Sequence, residues 1–157
     1  MAPVTALIGF PDVVDEVNAR LVATGVVVLG LLVAVTDARF LLPLLFVGFV
    51  LRVLSGPRFS PLALLATRVV RPRLAVHERF VPGPPKRFAQ SVGAVFTGTA
   101  TLLWLAGAGG AAEALLWVLV AFASLEAFAG FCMGCWVFAR LMQLGIIPQS
   151  VCDRCAW

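Results

Sequence analysis

Apolar residues occur along this chain in long stretches rather than in the short alternating runs of a soluble domain. A membrane-spanning helix needs about 20 mainly apolar residues, with a range of about 17–25. Stretches that reach or approach this length predict four spans, over residues 18–36, 40–55, 88–106 and 112–134. The apolar pattern of the last stretch continues, so Ala112 to Leu144 is expected to form one long helix ended by Gly145 and Pro148.

The connections between the predicted spans differ in length. Polar residues 37–39 and glycine-rich residues 107–110 predict tight turns. The connection over residues 56–87 is long, and its prolines at 82, 84 and 85 predict an irregular lead into the third span. Ser60 and Pro61 provide an N-cap and a first helical position, so a short amphipathic helix is expected on the bilayer surface. An ordinary polar loop with some local helix is the alternative.

The predicted fold class is therefore all-α. It is a polytopic membrane protein with four transmembrane helices plus a short amphipathic interfacial helix in the loop, and residues 1–157 form a single integral membrane domain. Composition supports this prediction, because 61% of the residues are hydrophobic, 13% are charged and the mean hydropathy is +1.01. A soluble domain is about half apolar and about a quarter charged.

The positive charges predict the orientation. Eight of the twelve Lys and Arg residues lie between Arg52 and Arg87, whereas the connections predicted on the opposite side contain only Arg39. The positive-inside rule then makes the 56–87 loop cytoplasmic. With four spans, both termini, the tail over residues 145–157 and all four cysteines are cytoplasmic too. Arg52, near the end of the second span, is expected to reach towards the headgroups, and a membrane loop explains the basic cluster better than nucleic-acid binding does.

Two Cys-x-x-Cys pairs are the candidate chemistry, and they account for all four cysteines: Cys132, Cys135, Cys152 and Cys155. Cytoplasmic cysteines are normally kept reduced, so such pairs point to redox turnover or metal binding rather than a structural disulfide. In the redox hypothesis Cys132 and Cys135, within the fourth helix at the membrane boundary, are the reactive pair. Cys152 and Cys155 are then a second, more exposed pair that meets a soluble partner.

The alternative hypothesis is a non-catalytic membrane subunit or partner-docking module. The spacing C-x2-C-x16-C-x2-C falls within the range used by four-cysteine zinc sites, so Cys132, Cys135, Cys152 and Cys155 are also candidate ligands of a structural Zn²⁺. No cofactor is certain from the sequence. Inert apolar cysteines, and a transporter of a small sulfur compound, are weaker readings that stay open.

Glu126 is the other candidate site residue, because it lies well inside an apolar run where a charge is costly. It is predicted either to exchange protons with the thiols or to pair with a basic group such as Arg52. A neutral Glu126 bonded to a Ser or Thr of a neighbouring helix fits the pattern equally well.

Three motifs resemble a bacterial membrane family known as domain of unknown function 4395. They are Gly56-Pro57-Arg58-Phe59-Ser60-Pro61-Leu62, Pro84-Pro85-Lys86-Arg87-Phe88-Ala89-Gln90 and Phe131-Cys132-Met133-Gly134-Cys135. The resemblance covers roughly Asp12 to Trp136 and implies a small multi-span protein of the bacterial inner (cell) membrane without an established activity. It also implies an association with thioredoxin-like proteins and sulfur metabolism, which favours the redox hypothesis.

The function expected from these observations is that of a membrane thiol–disulfide oxidoreductase or electron-relay protein. The expected partners are the lipid bilayer and either a thioredoxin-like soluble protein or a larger membrane complex, with no nucleic acid. A homo-oligomer is compatible with the pattern. The sequence contains no motif that identifies an electron acceptor, a quinone or a lipid ligand.

Overall fold

The computed structural model describes residues 10–155, so the two ends of the predicted 1–157 domain lie outside the described residues. Four helices are long and apolar enough to cross a membrane. These helices are α1 (Glu16–Thr36), α2 (Leu41–Ser55), α4 (Gly83–Leu105) and α5 (Gly109–Ser124). Helix α5 continues as a π-helical turn over Leu125–Ala129. The predicted all-α membrane fold with four spans is confirmed.

The four long helices pack as a bundle in which α4 contacts both α2 and α5, and α1 contacts α5. The core is made of aliphatic side chains from all four, including Val27, Leu42, Ala100, Leu116 and Val120. Glycine lets two helices approach closely: a Cβ on Gly93 of α4 would overlap the ring of Phe49 on α2.

The long loop packs against the bundle. Helix α3 covers Pro61–Leu65, and a π-helical turn (Ala66–Val70) and a 3₁₀ turn (Arg71–Arg73) follow it. Ala63 and Ala66 are buried against Val22 of α1, and Leu62 lies where a side chain on Gly25 would otherwise go. The predicted short helix therefore exists, with one face on α1.

A small antiparallel sheet, which the sequence analysis did not predict, closes the loop. Strand β1 (Val13–Asp15) pairs with β2 (Phe80–Pro82). Asp15 then caps α1 by accepting a hydrogen bond from the backbone N–H of Val17 (3.1 Å), and its carboxylate also binds Arg71 (3.1 Å). These contacts fix the start of α1 to the middle of the loop and to its C-terminal part.

The prediction of an irregular lead into the third span is wrong. Pro82 ends β2, and α4 begins directly at Gly83 with Pro84 and Pro85 in its first turn. Proline is tolerated there because the N–H groups of the first turn have no partner within the helix. The helix thus starts five residues before the predicted position 88, and this extension contains Lys86.

The prediction of one long helix from Ala112 to Leu144 is also wrong. Gly130 adopts a left-handed conformation with φ +69°, and a new helix, α6 (Met133–Gln143), begins after it. Glycine has little penalty in this region of φ/ψ space, whereas other residues do. Arg20 of α1 donates hydrogen bonds to the carbonyls of Ala127 and Phe128 (3.1 Å each), which the end of the helix leaves unpaired.

Candidate functional site

The break at Gly130 changes the setting of the first cysteine pair. Cys132 is the N-cap of α6 rather than a mid-helix residue, and Cys135 lies in the first turn. The Cys132 Sγ accepts a hydrogen bond from the backbone N–H of Cys135 (3.4 Å). Both cysteines are free and half-buried. A Cys-x-x-Cys at a helix N-terminus is the setting in which a thiolate is stabilised, because unpaired N–H groups and the helix dipole face the sulfur.

Gly134, between the two cysteines, holds α6 against α4. A Cβ at Gly134 would lie 2.6 Å from the Cα of Ala89, closer than real Cβ atoms come. The small residue at this position therefore sets the distance between the cysteine pair and the first turns of α4. That part of α4 carries Lys86 and Gln90.

A buried ion pair lies beside the cysteines. The Lys86 Nζ of α4 binds the Glu126 Oε1 of the π-helical turn at 2.5 Å, and the two side chains are 9% and 14% exposed. Both charges act on the thiols of Cys132 and Cys135. Glu126 is paired with Lys86 rather than with Arg52, and no sequence observation had singled out Lys86.

The hydrogen bond between the two side chains separates the pKa values of the thiols. It lowers the pKa of Cys132, whose thiolate accepts the bond, and it raises the pKa of Cys135, which donates it. For Cys132, burial and the Glu126 carboxylate oppose this shift, while the Lys86 ammonium and the backbone N–H of Cys135 support it. The pKa values of the two thiols therefore shift in opposite directions, and a lowered pKa increases the fraction of thiolate at Cys132.

Arg52 lies inside the bundle, so the prediction that it reaches towards the headgroups is wrong. It is 4% exposed, and its guanidinium stacks 4.3 Å from the ring centroid of Phe49. Its Nε donates to Gln90 Oε1 (2.8 Å) and its Nη1 to Ser60 Oγ (3.3 Å). Ser60 precedes α3 as predicted, but its hydroxyl binds Arg52 instead of capping the helix.

Two cavities meet at Cys132. One, of about 410 Å³, lies among the long helices and is lined mainly by apolar side chains, together with Arg52, Gln90 and Glu126. The other, of about 500 Å³, is a groove along α6 with Arg79, Trp136 and Arg140 among its walls, and Cys135 also lines it. The cysteine pair therefore separates an internal apolar cavity from a basic outer groove.

The second cysteine pair forms a disulfide between Cys152 and Cys155. The two residues are 6% and 3% exposed and pack on Phe138 of α6, so the prediction that this pair is the more exposed one is wrong. They line a groove of about 370 Å³ that shares Ala139 and Gln143 with the groove beside Cys135. Both pairs thus lie along α6, but in neighbouring grooves.

The structure brings three of the five predicted site residues, Cys132, Cys135 and Glu126, into one cluster and adds Lys86 to it. Cys152 and Cys155 are outside this cluster. Within residues 10–155 no three or more His, Cys, Asp or Glu side chains are grouped so that they could hold a metal ion. The four-cysteine zinc site stays a prediction that this arrangement does not support.

The fold and this cluster define a class of protein: a small polytopic α-helical membrane protein with a free dithiol at a helix N-terminus beside a buried ion pair. A family profile described as Domain of unknown function (DUF4395) matches residues 14–143, and the chain belongs to this family. The resemblance inferred from the three sequence motifs is thereby confirmed. Neither a curated protein nor a solved structure matches the chain.

Proposed function

We propose that this protein is a membrane thiol–disulfide oxidoreductase or electron-relay protein in which Cys132 and Cys135 are the reactive pair. The single observation that carries the proposal is the position of Cys132 as the N-cap of α6, with its Sγ hydrogen-bonded to the first turn of that helix. An inert cysteine in a membrane helix would have no need for this geometry. The neighbouring Lys86–Glu126 pair provides groups that can hold a proton next to the thiols.

The reaction is an exchange of disulfides. The Cys132 thiolate attacks one sulfur of a partner's disulfide, forms a mixed disulfide and releases the partner's other sulfur as a thiolate. Cys135 then loses its proton and attacks the Cys132 sulfur, which breaks the mixed disulfide. The partner leaves as a dithiol, and Cys132 and Cys135 are left as a disulfide. The reaction runs in reverse with a reduced partner.

The basic outer groove suits a thioredoxin-like soluble protein as the partner. Three cations line the groove, Arg79, Lys86 and Arg140, against one carboxylate, that of Glu16, which pairs with Arg79 (3.0 Å). Trp136 offers a half-exposed aromatic surface beside Cys135. Aromatic residues and arginine are enriched where proteins bind one another. A larger membrane complex that presents a similar dithiol would use the same surface.

The tail pair is proposed as the second dithiol of the relay. Cys152 and Cys155 pack against Phe138 and Met142, and Met142 lies seven residues along α6 from Cys135. That is about 10 Å along the helix axis at about 1.5 Å per residue. Exchange between the pairs needs direct attack of a thiolate on a disulfide sulfur, so the tail would have to move along α6 until its sulfurs meet Cys132 and Cys135.

The proposed orientation places the cysteines in the cytoplasm of a bacterial cell, at its inner membrane. Arg39 is the one basic residue at the far end of the bundle, where it pairs with Asp37. The other eleven of the twelve lie towards the end that carries α3 and α6. The positive-inside rule supports a cytoplasmic location for that end.

Trapping of the mixed disulfide tests the proposal. The purified, reduced Cys135→Ala protein, incubated with oxidised thioredoxin, is expected to accumulate a covalent complex that dithiothreitol releases. The Cys132→Ala variant is expected to form none, and the Cys152→Ala/Cys155→Ala variant is the matched control that keeps both reactive cysteines. If thiol alkylation of native membranes shows that neither pair ever changes its oxidation state, the proposal is wrong.

A further inference from the structure

The internal cavity is a built site that the exchange with a soluble partner does not use. Its volume of about 410 Å³ falls in the range of small-molecule pockets, about 300–1,000 Å³. Its walls come from α1, α2, α4, α5 and the start of α6, and Val22, Phe96 and Phe122 are among the apolar side chains that form them. A ligand that fits there is largely apolar.

Arg52 gives this cavity a polar anchor. The residue is buried and lines the cavity, and its Nε donates to Gln90 while its Nη1 donates to Ser60. A guanidinium has five N–H donors, more than these two hydrogen bonds use, so it can also donate to a ligand oxygen. The anchor therefore selects a ligand with an exposed acceptor oxygen.

Two further groups on the cavity wall are chemically active. Cys132 can supply electrons, and the Glu126 carboxylate can carry a proton. Lys86, the partner of Glu126, lines the outer groove, so the ion pair connects the groove to the cavity. A phosphate group would be attracted by Arg52 but would also face the Glu126 carboxylate. A neutral carbonyl compound that accepts electrons and protons suits all of these groups.

On this basis, and resting on the proposed function, we infer that the cavity binds the head group of a membrane-soluble quinone, which oxidises the Cys132–Cys135 pair. Arg52 donates a hydrogen bond to one quinone carbonyl. Cys132 faces the ring, and the apolar walls contact the ring and the start of its tail.

The reaction balances as a transfer of two electrons and two protons. The S–S bond between Cys132 and Cys135 forms, and both quinone oxygens become hydroxyls. One proton comes from the Cys135 thiol. The second replaces the proton that Cys132 had released and is delivered from the groove through Lys86 and Glu126. The products are a quinol and a disulfide, and the disulfide then oxidises a dithiol in the outer groove.

The reaction is measured without oxygen, in a single turnover, by following the absorbance of the quinone as it becomes a quinol. The reduced wild-type protein in nanodiscs is mixed with a fully substituted benzoquinone that carries a short apolar tail, because such a ring has no free position for stable thiol addition. One quinol is expected per Cys132–Cys135 disulfide formed. The Cys132→Ala/Cys135→Ala variant, which changes no residue of the bundle core, is expected to form none.

Two matched variants locate the binding site. Ala123 lines the cavity, whereas Ala121, two residues away on α5, is exposed on the outside of the bundle. Ala123→Phe is expected to abolish quinone binding and Ala121→Phe to leave it unchanged. Arg52→Gln is expected to weaken binding about 10–100-fold, the equivalent of one hydrogen bond to a charged group at about 1.5–3 kcal/mol.

The outcomes separate the two proposals. If no quinol forms while Cys135→Ala still traps thioredoxin, the quinone inference is wrong and the proposed function stands. If neither reaction occurs, both are wrong. Four other outcomes would each overturn the inference. Two concern binding: the Ala123→Phe and Ala121→Phe proteins bind the quinone equally well, or an anionic phospholipid displaces it. Two concern the reaction: the protein without Cys132 and Cys135 still reduces the quinone, or the wild type binds the quinone without reducing it.

Discussion

Cys132 and Cys135 are only three residues apart, yet the pKa values of their thiols shift in opposite directions. The hydrogen bond from the Cys135 thiol lowers the pKa of Cys132, and the same bond raises the pKa of Cys135. A thiolate reacts and a thiol does not, so in the proposed function Cys132 would attack the partner and Cys135 would then resolve the mixed disulfide. The division of roles rests on one donor side chain and is therefore open to substitution.

The rate of alkylation of Cys132 against pH tests this division. Because the reactive form is the deprotonated one, a lowered pKa moves the half-maximal rate below the pH of about 8.5 typical of a free cysteine. Cys135→Ala removes the donor, so its midpoint is expected at higher pH than that of the wild type. Cys135→Ser keeps an O–H donor and is expected to stay near the wild-type midpoint. Identical profiles for the alanine variant and the wild type would contradict the role of this hydrogen bond.

Among the elements, α6 owes its position to a single small residue. Gly134 allows the backbone of α6 to approach Ala89 of α4, and Gly130 turns the chain so that α6 can begin there. Both glycines belong to the apolar run that predicted one continuous helix. A glycine in such a run signals close helix packing as readily as a turn, so the sequence pattern could not separate the two.

Gly134→Ala is expected to destabilise the protein, because the added Cβ forces α6 away from α4. Overpacking of this kind costs typically about 1–3 kcal/mol. Unfolding in SDS, followed by circular dichroism, measures the loss, and alkylation of Cys132 should become faster as the helix moves.

Gly110→Ala is the matched control for this substitution. A Cβ at Gly110, in the first turn of α5, would meet nothing within 4 Å. Because alanine loses less backbone entropy than glycine in a helix, Gly110→Ala is expected to match the wild type or to be up to about 1 kcal/mol more stable. Equal stability of the two variants would show that the close approach of α6 to α4 carries no energetic weight.

For the whole molecule, the sequence predicted what depends on composition and missed what depends on distant contacts. The four spans follow from apolar length alone. The pairing of β1 with β2 joins three-residue segments more than sixty residues apart, and such short strands have no periodic signal. Glu126 was singled out because a carboxylate is rare in an apolar run, whereas its partner Lys86 was one of eight clustered basic residues and had no distinguishing mark.

The orientation of the whole protein can be tested with two introduced cysteines. Gly110 lies at the end of the bundle that contains Arg39, and Leu74 lies in the basic loop at the other end, where it is exposed. Because eleven of the twelve basic residues are at the Leu74 end, that end is expected to stay on the side from which the chain is inserted.

A membrane-impermeant maleimide applied to intact cells without their outer membrane should label Gly110→Cys at once and Leu74→Cys only after the membrane is permeabilised. The same reagent should reach Cys132 only after permeabilisation, since the outer groove opens at the basic end. Labelling of Leu74→Cys in intact cells would show that the protein has the opposite orientation. The partner of Cys132 would then have to be sought outside the cytoplasm.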